Sequence, residues 1–438
     1  MRSLKKAITL CLILLITGIT YSQSNALNSL SEKYNAQLKQ KQKGIGLLIK
    51  KNNTTETIAL GDYNLTSEKV FSIGSATKTF TAVLVLQEME RGNLKLSDSI
   101  GAYLSPIENV EGSLTIESLL SHESGLDEVV EANILDVFFK KDDALYNQDF
   151  LKQIEPHKPE KVGTFQYCNT NYMLLGEILE KINDKHYFDL LRERIFIPLG
   201  LDNTHSYLHK NIKDLAIPTH RGKDVSNYID HRFYGDIPNA AGSIASTLTD
   251  MEIFYSSLYE TEKLLKKETL QLMLSSGNDL YGLGIFKLSH KDKTYYGHGG
   301  NTIGYAFSNA YDPDSKSMYL IFANAVSMPT KSIENDLMGY LNNEPIKDFE
   351  DVDIDSFKNY EGKYLLKEAN LILKIVIEDK KIFLVGEAQG VKSELSQKDE
   401  NTLIDLETGV SLTKNNNDSE SLTFSQQGFT TVIKRIKE

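Results

Sequence analysis

The chain of 438 residues predicts an α+β fold with helices packed on an antiparallel sheet, followed by a small, separate all-β module. Three observations carry this. Helical and strand periodicities alternate as far as about residue 345. An acidic stretch, Asp348 to Asp355, follows Asn343-Glu344-Pro345 and reads as a linker. Beyond it only short alternating runs occur, with Leu371, Leu373, Ile375 and Ile377 on one face.

The elements follow in chain order. Residues 1–22 read as a secretory signal: Arg2, Lys5 and Lys6 form a basic start, Ala7 to Thr20 is apolar, and Tyr21-Ser22 offers a cleavage site before Gln23. The apolar run is short for a membrane span, and no other segment is long and apolar enough to be one. Ile45 to Ile49 predicts a strand, and Thr77 to Arg91 a helix stopped by Gly92. Short or amphipathic helices are expected at Thr115–Leu120, Tyr172–Ile182 and Thr249–Leu258, and strands at Thr294–Tyr296, Gly304–Ala310 and Met318–Ala323. In the last module, Ile382 to Val385 follows a polar turn at Glu378 to Lys380, and a turn at Gln427-Gly428 separates Leu422–Phe424 from Phe429–Ile433. The organisation is therefore 1–22 signal, 27–345 main domain, 346–355 linker and 356–438 barrel or sandwich.

Lysine and arginine total 48 against 60 acidic residues, a net charge of −12, and signal cleavage makes it more negative. This excludes nucleic acid and anionic membrane surfaces as partners and favours a small-molecule or peptide substrate. Of two cysteines, Cys11 lies in the signal, so Cys168 stands alone and no internal disulfide is expected in the exported protein.

The chemistry concentrates at Phe71-Ser72-Ile73-Gly74-Ser75-Ala76-Thr77-Lys78. Ser75 and Lys78 sit one helical turn apart and share a face, and a lysine beside a serine can accept its proton and make the hydroxyl a nucleophile. The pattern predicts covalent acyl transfer. Ser75 is placed to cap the helix, with its own N–H at the positive helix end, where an oxyanion is stabilised. The spacing alone is not specific, since Ser3 and Lys6 share it. Tyr167-Cys168-Asn169 supplies a phenol for proton relay and a carboxamide to bind substrate and hold Lys78; Tyr340-Leu341-Asn342 repeats the triplet at the domain end, without its flanking pattern. His298-Gly299-Gly300-Asn301 reads as a strand edge on which a substrate can pair, with the Asn301 N–H completing an oxyanion hole and His298 adding a titratable group. His205 and His209 have the spacing of one helix face, but the metalloprotease glutamate and a third ligand are missing, so no metal and no cofactor is expected.

Together with Ser118-Leu119-Leu120-Ser121-His122-Glu123-Ser124-Gly125-Leu126, Pro198-Leu199-Gly200-Leu201-Asp202-Asn203-Thr204, Ala240-Ala241-Gly242-Ser243-Ile244-Ala245-Ser246-Thr247 and Tyr281-Gly282-Leu283-Gly284, these motifs occur in one family's order. The sequence resembles the serine β-lactamase and penicillin-binding-protein family, in its class C-like branch with D-peptidases and esterases. The resemblance implies a β-lactamase/transpeptidase-like sheet with a helical subdomain. It implies Ser75 as the acylated nucleophile, Lys78 and Tyr167 as general base and acid, and Asn169, His298, Gly299, Gly300 and Asn301 as substrate-binding residues. The C-terminal module, opening with Tyr360-Glu361-Gly362-Lys363-Tyr364, resembles the lipocalin-like domain appended to some of these hydrolases.

Four positions depart from the family pattern. His298 replaces a lysine, Cys168 a serine and Val162 a proline, and no threonine precedes Gly300. The signal implies a periplasmic or secreted location, the resemblance a serine hydrolase acting through an acyl-enzyme, and the histidine a preference for D-amino-acid peptides or small esters. The alternatives are a β-lactamase and a non-catalytic peptidoglycan- or penicillin-binding protein. Oligomeric state is left open.

Overall fold

The computed structural model describes residues 27–436 except 36–37, 39–42, 129–153, 221–222, 230–238, 303, 327–329, 350–351, 368–370, 387–390, 407–408, 416–419 and 427–428. The signal over 1–22 and the turn at Gln427-Gly428 lie outside the described residues. The chain forms two compact units, one of residues 37–326 and one of residues 1–36 with 327–438.

The first unit is built on an antiparallel sheet. Its strands run Thr54–Gly61, Gly44–Lys51, Ser317–Ala323, Tyr305–Asp312, Lys293–Gly297 and Phe286–His290, with Gly300–Thr302 also pairing onto Tyr305–Asp312. The first hairpin turns at Asn52 and Asn53, both at positive φ, the turn geometry that matches strand twist. Ser317–Ala323 is buried on both faces, which fits its unbroken run of large side chains. Thr54–Gly61 has only Ile58, Ala59 and Leu60 as apolar members and lies at the sheet edge, which leaves little sequence signal for a strand.

The helix after the serine, Thr77–Arg91, is buried on nearly every side as far as Leu86. A helix apolar all round belongs inside a fold. Phe80 stacks on Phe254 of the helix Leu248–Glu260 at 3.6 Å between centroids. The helix threonines stay satisfied in this dry setting. Thr79 Oγ1 donates to the Gly284 carbonyl, and Thr81 Oγ1 bonds the Ala240 carbonyl and the Tyr187 hydroxyl. Asn169–Asn183 packs against this helix and turns Tyr172, Leu174, Leu175, Ile178 and Leu179 inward.

In the second unit, eight strands from Gly362–Leu366 to Phe429–Arg435 close into an antiparallel barrel. Closure is made by Tyr364 opposite Arg435 and Leu365 opposite Lys434. Alternate residues such as Leu373, Ile375, Ile382, Leu384, Leu412 and Phe424 fill one core. The sequence left barrel and sandwich open, and the closing pair decides for the barrel.

Candidate active site

Ser75 lies in a single 3₁₀ turn, Gly74–Ala76, ahead of the helix Thr77–Arg91. It is partly exposed between buried neighbours. The expected cap is not made: Ala76 occupies the N-cap position and no side chain caps the helix. The Ser75 hydroxyl instead accepts from Lys78 Nζ at 3.2 Å. The 3₁₀ turn moves Ser75 one residue further from the helix start than a cap requires, and so directs Oγ to the amine.

Lys78 is fully buried. Besides Ser75 Oγ, its Nζ reaches Asn169 Oδ1 at 2.6 Å and the Ala241 carbonyl at 2.8 Å. Its Nζ lies 4.9 Å from the Tyr167 ring centroid and 5.6 Å from that of Tyr172. The structure thus brings Ser75, Lys78, Tyr167 and Asn169 into one cluster. The Ala241 carbonyl was not anticipated from chemistry, because a backbone acceptor leaves no trace in residue type. Asn169 is held in turn by Glu128, whose carboxylate accepts the Asn169 N–H at 2.6 Å.

The glycine strand closes the other side. Gly300 pairs with Phe307 and Asn301 with Ala306. A methyl group on Gly300 would sit 2.0 Å from the Ile73 carbonyl oxygen and 2.5 Å from the Ser75 nitrogen. A methyl group on Gly74, at φ +50, would sit 3.0 Å from the Asn301 nitrogen and 3.1 Å from its carbonyl oxygen. Only glycine permits two backbones to meet at this distance. Asn301 is exposed and Gly299 partly so.

His298 differs from its expected role as a titrating group. It is buried, and its Nδ1 lies 2.6 Å from the Gly299 carbonyl oxygen, which only accepts, so Nδ1 carries the proton. Nε2 then accepts from the Tyr281 hydroxyl at 2.8 Å. Burial first, and the charge of Lys78 second, lower its pKa from 6.5 to about 3. His298 is therefore a neutral imidazole. Cys168, beside Tyr167, is buried and donates Sγ–H to the Asp127 carbonyl, and burial raises its thiol to about 11.

His205 and His209 do not share a helix. His205 forms a strand bridge with Ala245, the two rings lie 6.1 Å apart, and no cluster of three metal-ligating side chains occurs among the described residues.

The family model of the beta-lactamases matches residues 30–340. The chain belongs to the beta-lactamase family. Among relatives of this beta-lactamase-family chain, the putative penicillin-binding protein PbpX of Bacillus subtilis is 25% identical over 58% of the chain and 62% of its own length. Penicillin-binding protein 4* of the same species is 24% identical over 73% of the chain and 77% of its own length. The teichoic acid D-alanine hydrolase of Staphylococcus aureus is 25% identical over 49% of the chain. The chain spans 62% of the first of these relatives and about half (52%) of the last.

Solved structures share the fold. The octameric penicillin-binding protein homologue of Pyrococcus abyssi superposes over 95% of this chain and 100% of its own, with a TM-score of 0.62 and 20% identity. The D-amino acid amidase of Ochrobactrum anthropi, complexed with D-phenylalanine, superposes over 73% of this chain and 99% of its own, with a TM-score of 0.61 and 20% identity. The relatives thus include hydrolases. No helix among the described residues is long and apolar enough to cross a membrane.

Proposed function

We propose that this chain is an exported serine hydrolase that works through an acyl-enzyme on amide or ester bonds of D-amino-acid compounds or small esters. Residues 27–345 form its hydrolase domain, 346–355 a linker and 356–438 a lipocalin-like appendage. The observation that carries the reading is the 3.2 Å contact between a buried lysine amine and a partly exposed serine hydroxyl.

Ser75 Oγ attacks the substrate carbonyl carbon, and its proton passes to the amine of Lys78 or the phenolate of Tyr167. The N–H groups of Ser75 and Asn301 hold the oxyanion. As the tetrahedral intermediate collapses, the departing amine or alcohol takes the proton back and Ser75 is left as an ester. Water, deprotonated by the same pair, then cleaves that ester and restores the hydroxyl. Asn169 keeps Lys78 in place through its 2.6 Å bond and presents its amide nitrogen to substrate.

A neutral His298 offers no cation to a substrate carboxylate, which supports a peptidase, amidase or esterase over a dedicated β-lactamase. The D-alanine hydrolase and D-amino acid amidase among the relatives point the same way. The export proposal rests on the signal pattern over 1–22.

Intact-protein mass spectrometry after exposure to D-alanyl peptides, D-amino-acid amides, small esters, penicillins and a fluorophosphonate tests this. A covalent mass increment on the wild type that vanishes in Ser75→Ala is expected. Equal labelling of the two proteins would overturn it.

A further inference from the structure

We propose that His122 is a positioning residue for acyl transfer, one that brackets Tyr167 by holding the backbone on both of its sides. The inference rests on the reading of Ser75 as nucleophile and adds to it a part that contacts no substrate.

The bracket has two arms. The His122 carbonyl accepts the N–H of Gln166 at 2.8 Å, and its ring Nδ1 accepts the N–H of Cys168 at 3.1 Å. Gln166 and Cys168 are the two neighbours of Tyr167, so one residue fixes the peptide before the phenol and the peptide after it. Asn169, the acceptor for Lys78, is the next residue on. The His122 ring also backs the phenol directly, with centroids 4.3 Å apart and planes tilted by 36°. For a side chain that must meet Lys78 to within a few tenths of an ångström, this is support from behind and from both ends.

The protonation of the ring follows from its neighbours. Asn171 Oδ1 accepts from the Ser124 hydroxyl at 2.6 Å, which turns Asn171 Nδ2, a donor, toward His122 Nδ1 at 3.1 Å. With the Cys168 N–H and the Asn171 amide both aimed at it, Nδ1 is unprotonated. Burial first, and the charge of Lys78 second, lower its pKa and keep the ring neutral. The proton is therefore on Nε2, which has no hydrogen-bond partner among the described residues and lies among the rings of Tyr172 and Tyr281, at 5.1 and 4.9 Å between centroids. A buried N–H with no acceptor is costly, and so is the left-handed backbone of His122 at φ +59. Stability alone does not ask for such a residue here, whereas an acceptor of this reach opposite the Cys168 N–H does.

Three substitutions separate the Nδ1 acceptor from everything else the ring does. His122→Asn places an amide oxygen near the position of Nδ1 and suits a positive φ. His122→Gln places it near Nε2 instead. His122→Ala removes both, while the carbonyl arm to Gln166 remains in all three. Each variant is characterised by its melting temperature, its acylation rate with a fluorophosphonate by intact mass, and kcat and KM for an ester the wild type hydrolyses. We expect His122→Ala and His122→Gln to lose about a hundredfold in acylation rate and kcat with KM little changed, and His122→Asn to recover to within about tenfold of wild type.

Equal rates for Asn and Gln, or a His122→Ala protein that is folded and acylates like the wild type, would overturn the proposal. Should His122→Ala fail to fold, the Asn and Gln pair still decides. A wild type that takes no label at Ser75 would instead refute the serine-hydrolase reading, so the two failures are told apart.

Discussion

Replacing Gly300 by alanine is expected to spare the fold and cripple acylation. The methyl group would lie 2.0 Å from the Ile73 carbonyl oxygen, 2.5 Å from the Ser75 nitrogen and 2.9 Å from the Gly74 carbonyl carbon. Ordinary contact begins at 3.4 Å, so strand and serine turn must part by about 1.4 Å against the nearest atom. None of the three atoms belongs to a side chain that could swing aside. Overpacking of this kind costs about 1–3 kcal/mol, which a core of this size tolerates. The same displacement separates the Ser75 and Asn301 amides, and a misplacement of about 1 Å in a reacting constellation costs about a hundredfold in rate. The control is Gly299→Ala, whose methyl would meet only the Phe307 oxygen, at 3.3 Å, and needs a shift of a tenth of an ångström or so. The assay is the second-order rate of fluorophosphonate acylation, read by intact mass, beside a thermal melt. Gly300→Ala should fall about a hundredfold while Gly299→Ala stays within about fivefold. A Gly300→Ala protein that acylates at the wild-type rate would refute the claim that this strand and the serine turn build one oxyanion site.

Other consequences follow from the buried polar groups. Thr81→Val removes the buried hydroxyl that bonds both the Tyr187 hydroxyl and the Ala240 carbonyl, and should cost about 1–3 kcal/mol by urea denaturation; a loss below about 0.5 kcal/mol would contradict it. His298 is lowered from 6.5 to about 3, so the unfolded chain binds a proton there that the folded chain refuses. Stability should therefore rise with pH between about 3 and about 6.5, and be lost as pH falls through that window, by up to about 1.4 kcal/mol per unit from this group. His298→Asn should show a shallower slope, and identical slopes would place the effect elsewhere. A D-alanyl peptide with a free C-terminal carboxylate and its C-terminal amide should differ less than about fivefold in kcat/KM, since His298 carries no charge to tell them apart. A hundredfold preference for the carboxylate would show that a cation acts there after all.

The parts that were legible in the sequence share one property: their signal is local. Ser75 and Lys78 meet because three residues make one helical turn, and Asn169 reaches Lys78 from a helix the sequence predicts, though it begins at Asn169 and not at Tyr172. The central helix and the strands Tyr305–Asp312 and Ser317–Ala323 were legible as long apolar runs. Edge strands were not. Thr54–Gly61 faces solvent along most of its length, and Phe286–His290 carries Lys287 and Ser289 between its apolar members. The capping role read for Ser75 failed because a 3₁₀ turn and an α-helix begin with the same residues and differ only in where the first bond closes. The state of His298 was out of reach for another reason. Residue type gives a titratable ring, but the phenol of Tyr281, the burial and the Lys78 charge that keep it neutral come from three separate segments.

That neutrality bears on how such a site chooses a substrate. A lysine in place of His298 would attract a carboxylate over several ångströms and tolerate loose placement, since a point charge acts at a distance. A neutral imidazole whose two nitrogens are already bonded within the protein does neither. On the proposed serine-hydrolase reading, selection then comes from hydrogen bonds that need exact alignment: the exposed edge of Gly300–Thr302, the amide of Asn169, and the phenol that the loop over 163–168 delivers. Alignment in turn demands rigid support, and the polar groups buried behind Tyr167 supply it. His122 holds both of its flanking amides, Asn171 and Ser124 orient His122, and Asp127 holds Cys168 and Thr170 by its carbonyl oxygen. A site that forgoes a cation for capture has to invest in placement, and the density of bonds around one short loop is where this fold makes that investment.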